Sequence, residues 1–438
     1  MTGRFRILGI VLALAWLTAA CLPEGMRLPQ SDLLKTFERK SGLIAYLGAD
    51  GNIYTIDQGG SQPTPVTTDA HSENDYLFYT FPVWSPDSNL LAFAGFSGQQ
   101  GEAPGKASLF VAGKDGKGLV EAYASEDYLV YYYWSPDSGR VSFLSNTPSS
   151  NLALKVVSSS GGDAETLDVG APYYWTWAPD SHSMLIHAGG ATADGQSRLS
   201  ILRLDGTVTE QGLDIQPTLF KTPAYSPAGD QLLVAGETSE GTPALLLTDA
   251  AGNARQTLTE YEGIIAFVWS PNGKRIAYIA GDVGEQGFEG RLIVMDPTGR
   301  QKPLALEDET ASAFFWAPDG KSIAYFTPKV IDAPTPEPGQ SSANRPETFT
   351  VWSLSVMDAQ SGSAHAVATF LPTDRLLEVL PFFDQYHQSA TIWSPDSQNL
   401  VLSAYNGNGD PGIWVVAASG NLEPRFIAPG WVGFWSWK

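Results

Sequence analysis

Residues Trp84-Ser85-Pro86-Asp87-Ser88 recur as Trp134-Ser135-Pro136-Asp137-Ser138 and Trp393-Ser394-Pro395-Asp396-Ser397. Variants are Trp177-Ala178-Pro179-Asp180-Ser181, Trp269-Ser270-Pro271-Asn272-Gly273 and Trp316-Ala317-Pro318-Asp319-Gly320, with a weaker copy at Tyr225-Ser226-Pro227-Ala228-Gly229. The aromatic positions step by 50, 43, 48, 44, 47 and 77 residues. Repeats of 40–50 residues point to propellers or solenoids. Within each copy, Pro fixes φ at the second position of a tight turn, Asp or Asn accepts local backbone hydrogen bonds, and Gly or Ser closes it. The Trp ends one strand and can wedge its ring between neighbouring sheets. These are structural roles.

Each copy leads into a short strand-forming run such as Leu90-Leu91-Ala92-Phe93 or Arg275-Ile276-Ala277-Tyr278, and a second run then ends in a polar Gly turn. No long 3.6-residue periodicity intervenes. The unit is a four-stranded antiparallel meander. At the ends, Ser41-Gly42-Leu43-Ile44-Ala45-Tyr46 resembles a second strand lacking its first, and Val432-Gly433-Phe434-Trp435-Ser436-Trp437 a first strand lacking its turn. Joined, they complete one blade and leave no open sheet edge. The expected fold is all-β, a single β-propeller over residues 42–438. Eight blades are expected, with seven as the runner-up if the Tyr225 copy is not a blade.

The Trp-Ser-Pro-Asp-Gly/Ser turn followed by a Leu/Ile-Ala-Phe/Tyr strand resembles the WD40-like repeat of TolB-type propellers. The same blade type occurs in the non-catalytic propeller of prolyl-oligopeptidase-like enzymes. The resemblance implies an extracytoplasmic binding platform whose partners are proteins or peptides. Fold alone does not fix the task.

Residues 1–20 stand apart. Arg4 and Arg6 precede an uncharged apolar run from Ile7 to Leu17, too short for a permanent span and fitting a signal peptide. Leu17-Thr18-Ala19-Ala20-Cys21 resembles a bacterial lipobox, with Thr18 where Leu is commonest. Cys21 is the only cysteine of the 438 residues. The expectation is a lipidated Cys21, a polar tether over 21–41 and an extracytoplasmic, membrane-anchored protein. One cysteine leaves no internal disulfide framework, Cys-rich zinc site or iron–sulfur ligation. A formal net charge of −21 argues against nucleic acid as a partner.

No catalytic constellation assembles. The five histidines (His71, His182, His187, His365 and His387) show no His-x-x-x-His spacing. No Gly-x-Ser-x-Gly elbow, phosphate-cradling Gly-x-x-x-x-Gly-Lys or Asp-x-Asp-x-Asp loop is present. Since the repeat reaches Lys438, no hydrolase domain is expected to follow. The expected protein is therefore not an enzyme and carries no cofactor, although close carboxylates could hold Ca²⁺.

The functional signal lies just before each motif, in the loops that gather at one mouth of a propeller channel. They hold Asp75, Tyr76, Tyr79; Asp127, Tyr128, Tyr132; Tyr174, Trp175; Glu262; Glu309; and Phe383, Asp384, His387. Flat aromatics with polar rims suit protein, peptide or sugar recognition. These residues are the ligand-binding candidates, for an envelope or extracellular protein or peptide, with a glycan as alternative and a channel hydrolase or lyase as a third reading. Solvent exposure of Tyr132, Tyr174 and Phe383 discriminates, because rings buried between blades cannot meet a ligand. Two insertions interrupt the pattern. Residues 328–346 carry five prolines and read as a flexible hairpin extension. Residues 373–388 include a short helix and an apolar Pro381-Phe382-Phe383, either an interaction patch or a channel plug.

Overall fold

The computed structural model describes residues 40–148, 151–189, 197–218, 221–253, 255–284, 287–306, 309–332 and 348–438. The signal segment, Cys21, the tether up to residue 39 and most of the Pro-rich insertion lie outside the described residues. Among the described residues, no helix is long and apolar enough to cross a membrane.

Among the described residues, antiparallel strands form seven hydrogen-bonded sheets: five of four strands, one of five and one of six. Leu129–Trp134, Arg140–Asn146, Leu152–Ser158 and Glu165–Gly170 are a typical blade. The count of eight is corrected to seven for a specific reason. The strand Arg425–Trp435 pairs through its first half with Pro411–Ala417 and through its second half with Ile44–Gly48. It thereby serves two repeat units and joins the last of them to the closing one in the six-stranded sheet. The terminal strands do share one blade, with Ile44 opposite Trp435.

The repeated turn explains the ring. Ser85 Oγ donates to Asp87 at 2.6 Å and accepts from the backbone N–H of Leu90 at 2.9 Å. Ser135 and Ser394 repeat this pattern. Each motif Trp is buried, and in four of them the indole N–H reaches the carbonyl just before the preceding aromatic. Trp84 donates to Phe434, Trp134 to Val83, Trp316 to Val268 and Trp393 to Phe315.

The fifth motif residue is Ser in several copies although φ there is positive, at 63° for Ser88 and Ser181 and 61° for Ser138 and Ser397. Such backbone disfavours a side chain. The hydroxyl offsets the strain by accepting a backbone N–H from the neighbouring turn. Asp87 donates to Ser138, Asp137 to Ser181 and Asp319 to Ser397. The series passes through both chain ends, from Asp396 to Ser41 and from Lys438 to Ser88. Ser181→Ala keeps the strain and loses the tie, whereas Ser181→Gly loses the tie and relieves the strain. Denaturant unfolding is expected to rank wild type above Gly and Gly above Ala, with Ala lower by about 1–2 kcal/mol. An Ala variant at least as stable as Gly would contradict this role.

Candidate functional site

The innermost strands enter their turns at one end of the ring, so residues at their starts surround the opposite end. There the insertion 373–388 folds into a plug. Thr373 caps the helix Asp374–Val379, its hydroxyl accepting the N–H of Leu376. A 3₁₀ turn, Leu380–Phe382, and a short helix, Phe383–Tyr386, carry the chain into the channel.

Groups from separate repeats grip this segment. Tyr131 Oη donates to the carbonyl of Gln385 at 3.0 Å, and Tyr133 Oη to the side-chain carbonyl of Gln388 at 2.9 Å. Gln385 Nε2 donates to the Trp175 carbonyl at 3.2 Å. The N–H of Thr222 points to Asp384 at 3.3 Å, and that of Trp316 to His387 Nε2 at 3.2 Å. Phe383 packs on Phe314 and Tyr386 on Tyr131, with ring centroids 4.8 and 5.1 Å apart. Of the two readings of this insertion, the plug is the one observed.

Beside the plug helix, the mouth forms two adjoining concavities of about 240 and 410 Å³ that share Phe78, Arg375 and Glu378. A ladder of stacked rings floors the first. Tyr76–Phe78, Phe78–Phe96 and Phe96–Tyr128 centroids lie 5.9, 5.4 and 4.6 Å apart. The ladder ends on Tyr128, which is 46% exposed and has a neighbour, Val130, equally open. The helix side is polar, with Arg375 paired to Glu378 at 2.8 Å. Asp374 and half-buried Trp431 line the second hollow.

The candidates therefore divide. Tyr128 lines the groove, whereas Tyr76 stacks on Phe78 but faces a separate hollow with His71 and Asp75. Tyr79, Tyr132, Trp175 and Phe383 are buried and correct the expectation of ligand contact. Tyr79 donates to Asp69, and Tyr132 contacts the Thr80 and Phe81 carbonyls while accepting from Ala94. Tyr174 is half-buried, while Asp384 and His387 belong to the plug. Asp127 is half-buried beside the groove. Asp75 is exposed, 3.6 Å from His71. Glu262 and Glu309 are exposed, line neither hollow, and do not converge with the others; Glu309 accepts from Tyr325 Oη. Phe96, Arg375, Glu378 and Trp431 are groove residues the sequence reading did not single out. The strand register carries the signal for Phe96, which stands opposite Phe78. Among the described residues, no three His, Cys, Asp or Glu side chains are grouped to hold a metal ion.

Two histidines are kept neutral. His387, hemmed in by Phe315 and Trp316, is lowered to about 4 by burial. His187, whose Nδ1 meets the Lys221 carbonyl, is likewise lowered to about 4 by burial. Both folded values lie below the unfolded value of 6.5, so acid protonates the unfolded chain first. Their contribution to stability is complete above pH 6.5 and declines as pH falls from there towards 4. Unfolding midpoints measured across this window are expected to drop, and His387→Gln to flatten the slope. A midpoint independent of pH over this window would contradict the assignment.

No protein family and no curated protein matches this chain. Solved structures do. An oligogalacturonate lyase in complex with manganese is similar at 15% identity, covering 86% of this chain and 97% of that one, with a TM-score of 0.50. TolB from Acinetobacter baumannii is 14% identical, covering 90% of this chain and 81% of its own, with a TM-score of 0.40. A putative TolB from Agrobacterium tumefaciens is 17% identical over 62% of this chain and 90% of its own, at 0.37. At these identities the likeness is one of fold, and TolB proteins stand among the β-propellers this chain resembles.

Proposed function

We propose that this chain is a non-catalytic propeller scaffold that receives an extended protein or peptide segment in its mouth groove. The observation that carries the reading is the stacked ladder ending on exposed Tyr128 beside the plug helix. An aromatic floor with a polar rim is the composition of protein-recognition surfaces. The net charge of −21 favours a partner bearing basic side chains. The lipobox-like residues support a scaffold outside the cytoplasm, anchored through Cys21. Recovery of Cys21→Ala in the membrane fraction would overturn the anchor.

A second reading has its own support. An exposed ring stacked on another ring also suits a sugar face, so a carbohydrate ligand competes for the same groove. The similarity to an oligogalacturonate lyase concerns fold and brings neither its substrate nor its activity.

The test is affinity capture with the full chain against envelope proteins and a glycan panel, comparing wild type with Tyr128→Ala. Tyr128 is half in solvent, so the variant is expected to fold normally and bind at least about tenfold more weakly. Whether a protein or a glycan is lost decides between the readings. Unchanged capture of every partner would overturn the groove.

A further inference from the structure

The repeat is least regular at Tyr225. Its strand, Ala224–Tyr225, has two residues. Trp177 donates its indole N–H to Ser142 Oγ and Trp435 to the Ser41 carbonyl, whereas Trp84, Trp134, Trp316 and Trp393 donate theirs to the carbonyl just before the preceding aromatic. For Trp269 that acceptor would be the Ala224 carbonyl, and the bond is not made. Trp269 is 5% exposed, and its buried indole N–H has no partner among the described residues. Burying such a donor unpaired costs about 1–3 kcal/mol.

Trp269 lines a chamber of about 160 Å³ beneath the plug, with Asp384, Thr222, Gln388 and Tyr225 among its walls. Asp384 is 4% exposed. Its one described hydrogen bond is the 3.3 Å contact from Thr222, and among the described residues no Lys or Arg pairs with it. A desolvated carboxylate without a counter-charge is costly. The neighbouring acceptors are already engaged. His387 Nε2 takes the Trp316 N–H, and the Gln388 carbonyl takes Tyr133 Oη. Among Asp384, Trp269, His387 and Gln388, what remains is one anionic acceptor, the indole donor and the amide N–H groups of Gln388.

We propose that this chamber is a binding site for a primary ammonium group with an adjacent acceptor oxygen, the chemistry shared by a free amino acid and a peptide N-terminus. The ammonium neutralises Asp384, and the oxygen accepts from Trp269 and Gln388. The volume, below that of a drug-sized pocket, suits so small a group. The site lies under the plug, away from the mouth groove, and does not depend on the groove having a ligand.

The indole ¹⁵N–H resonance of Trp269, assigned by its loss in Trp269→Phe, reports directly on the chamber, and the other indole signals report on folding. Full chain is titrated with glycine, triglycine, ethylamine and acetate. Glycine or triglycine is expected to shift the Trp269 signal saturably, and the tighter of the two identifies the source. Ethylamine and acetate, each carrying half of the group, are expected to bind at least about tenfold more weakly. In Asp384→Asn, with the remaining indole signals unmoved, the glycine or triglycine shift is expected to disappear, and in Tyr128→Ala to persist. The proposal is overturned if neither zwitterion moves the signal, if Asp384→Asn binds equally well, or if ethylamine alone binds as tightly.

Discussion

A chain ending at Pro429 is expected to lose cooperative folding altogether. The removed residues include Val432, Phe434 and Trp435, all essentially inaccessible. Each is worth about 1.5–3 kcal/mol of burial. Their loss also takes the Phe434 carbonyl from the Trp84 indole, and the Trp435 N–H from the Thr391 carbonyl, a 2.8 Å bond. It strips the inner edge of Ile44–Gly48, which pairs with this strand from Ile44 to Gly48. An unpaired edge of buried apolar residues invites aggregation. Against a total stability of about 5–15 kcal/mol, these losses are decisive. Calorimetry of the truncated chain should show no cooperative transition. A transition within a few degrees of wild type would mean that the terminal strands do not close the ring.

Phe383→Ala is expected to cost about 3–5 kcal/mol, the range for emptying a fully buried aromatic site. Phe383 is 0% exposed and packs on Phe314 within the plug. The cavity cannot collapse readily, because Asp384, Gln385 and His387 on the same segment are tied to separate repeats. The variant should unfold at lower denaturant, and amide exchange over 374–386 should rise more than elsewhere. Phe383→Leu, which keeps much of the volume, should fall between the two. A cost for Phe383→Ala below about 1 kcal/mol would place it outside the range for buried aromatics and overturn the plug.

The ring was legible because its signals are local and repeated. Trp84, Trp134, Trp316 and Trp393 all occupy one position in a short turn, and the ends at Ile44 and Trp435 are complementary halves of one unit. The blade count was less legible. Nothing local marks Arg425–Trp435 as a strand shared between two units, since the sharing depends on partners near both ends of the chain.

The site was legible in composition and wrong in exposure. The sequence marks the residues before the motifs as loops, but the strand Asp75–Trp84 begins at Asp75 and Leu129–Trp134 directly after Tyr128. Tyr79 and Tyr132 therefore sit inside paired strands and pack, whereas Tyr128 stays outside. Plug and patch could not be separated from sequence, because Tyr131, Trp175, Thr222 and Trp316, which hold the insertion, come from distant repeats. The Tyr225 copy lacks both the Trp and the Asp of the motif. Its weakness has a physical consequence, an indole of Trp269 left without its usual carbonyl.

Amide hydrogen exchange of the full chain, with and without the partner captured through the groove, tests the central claim most directly. Protection is predicted over residues 78–81, 128–132 and 374–379, the walls of the mouth groove. Protection confined to the turn face, around residues 225–229 and 269–273, with the groove unchanged, would contradict it.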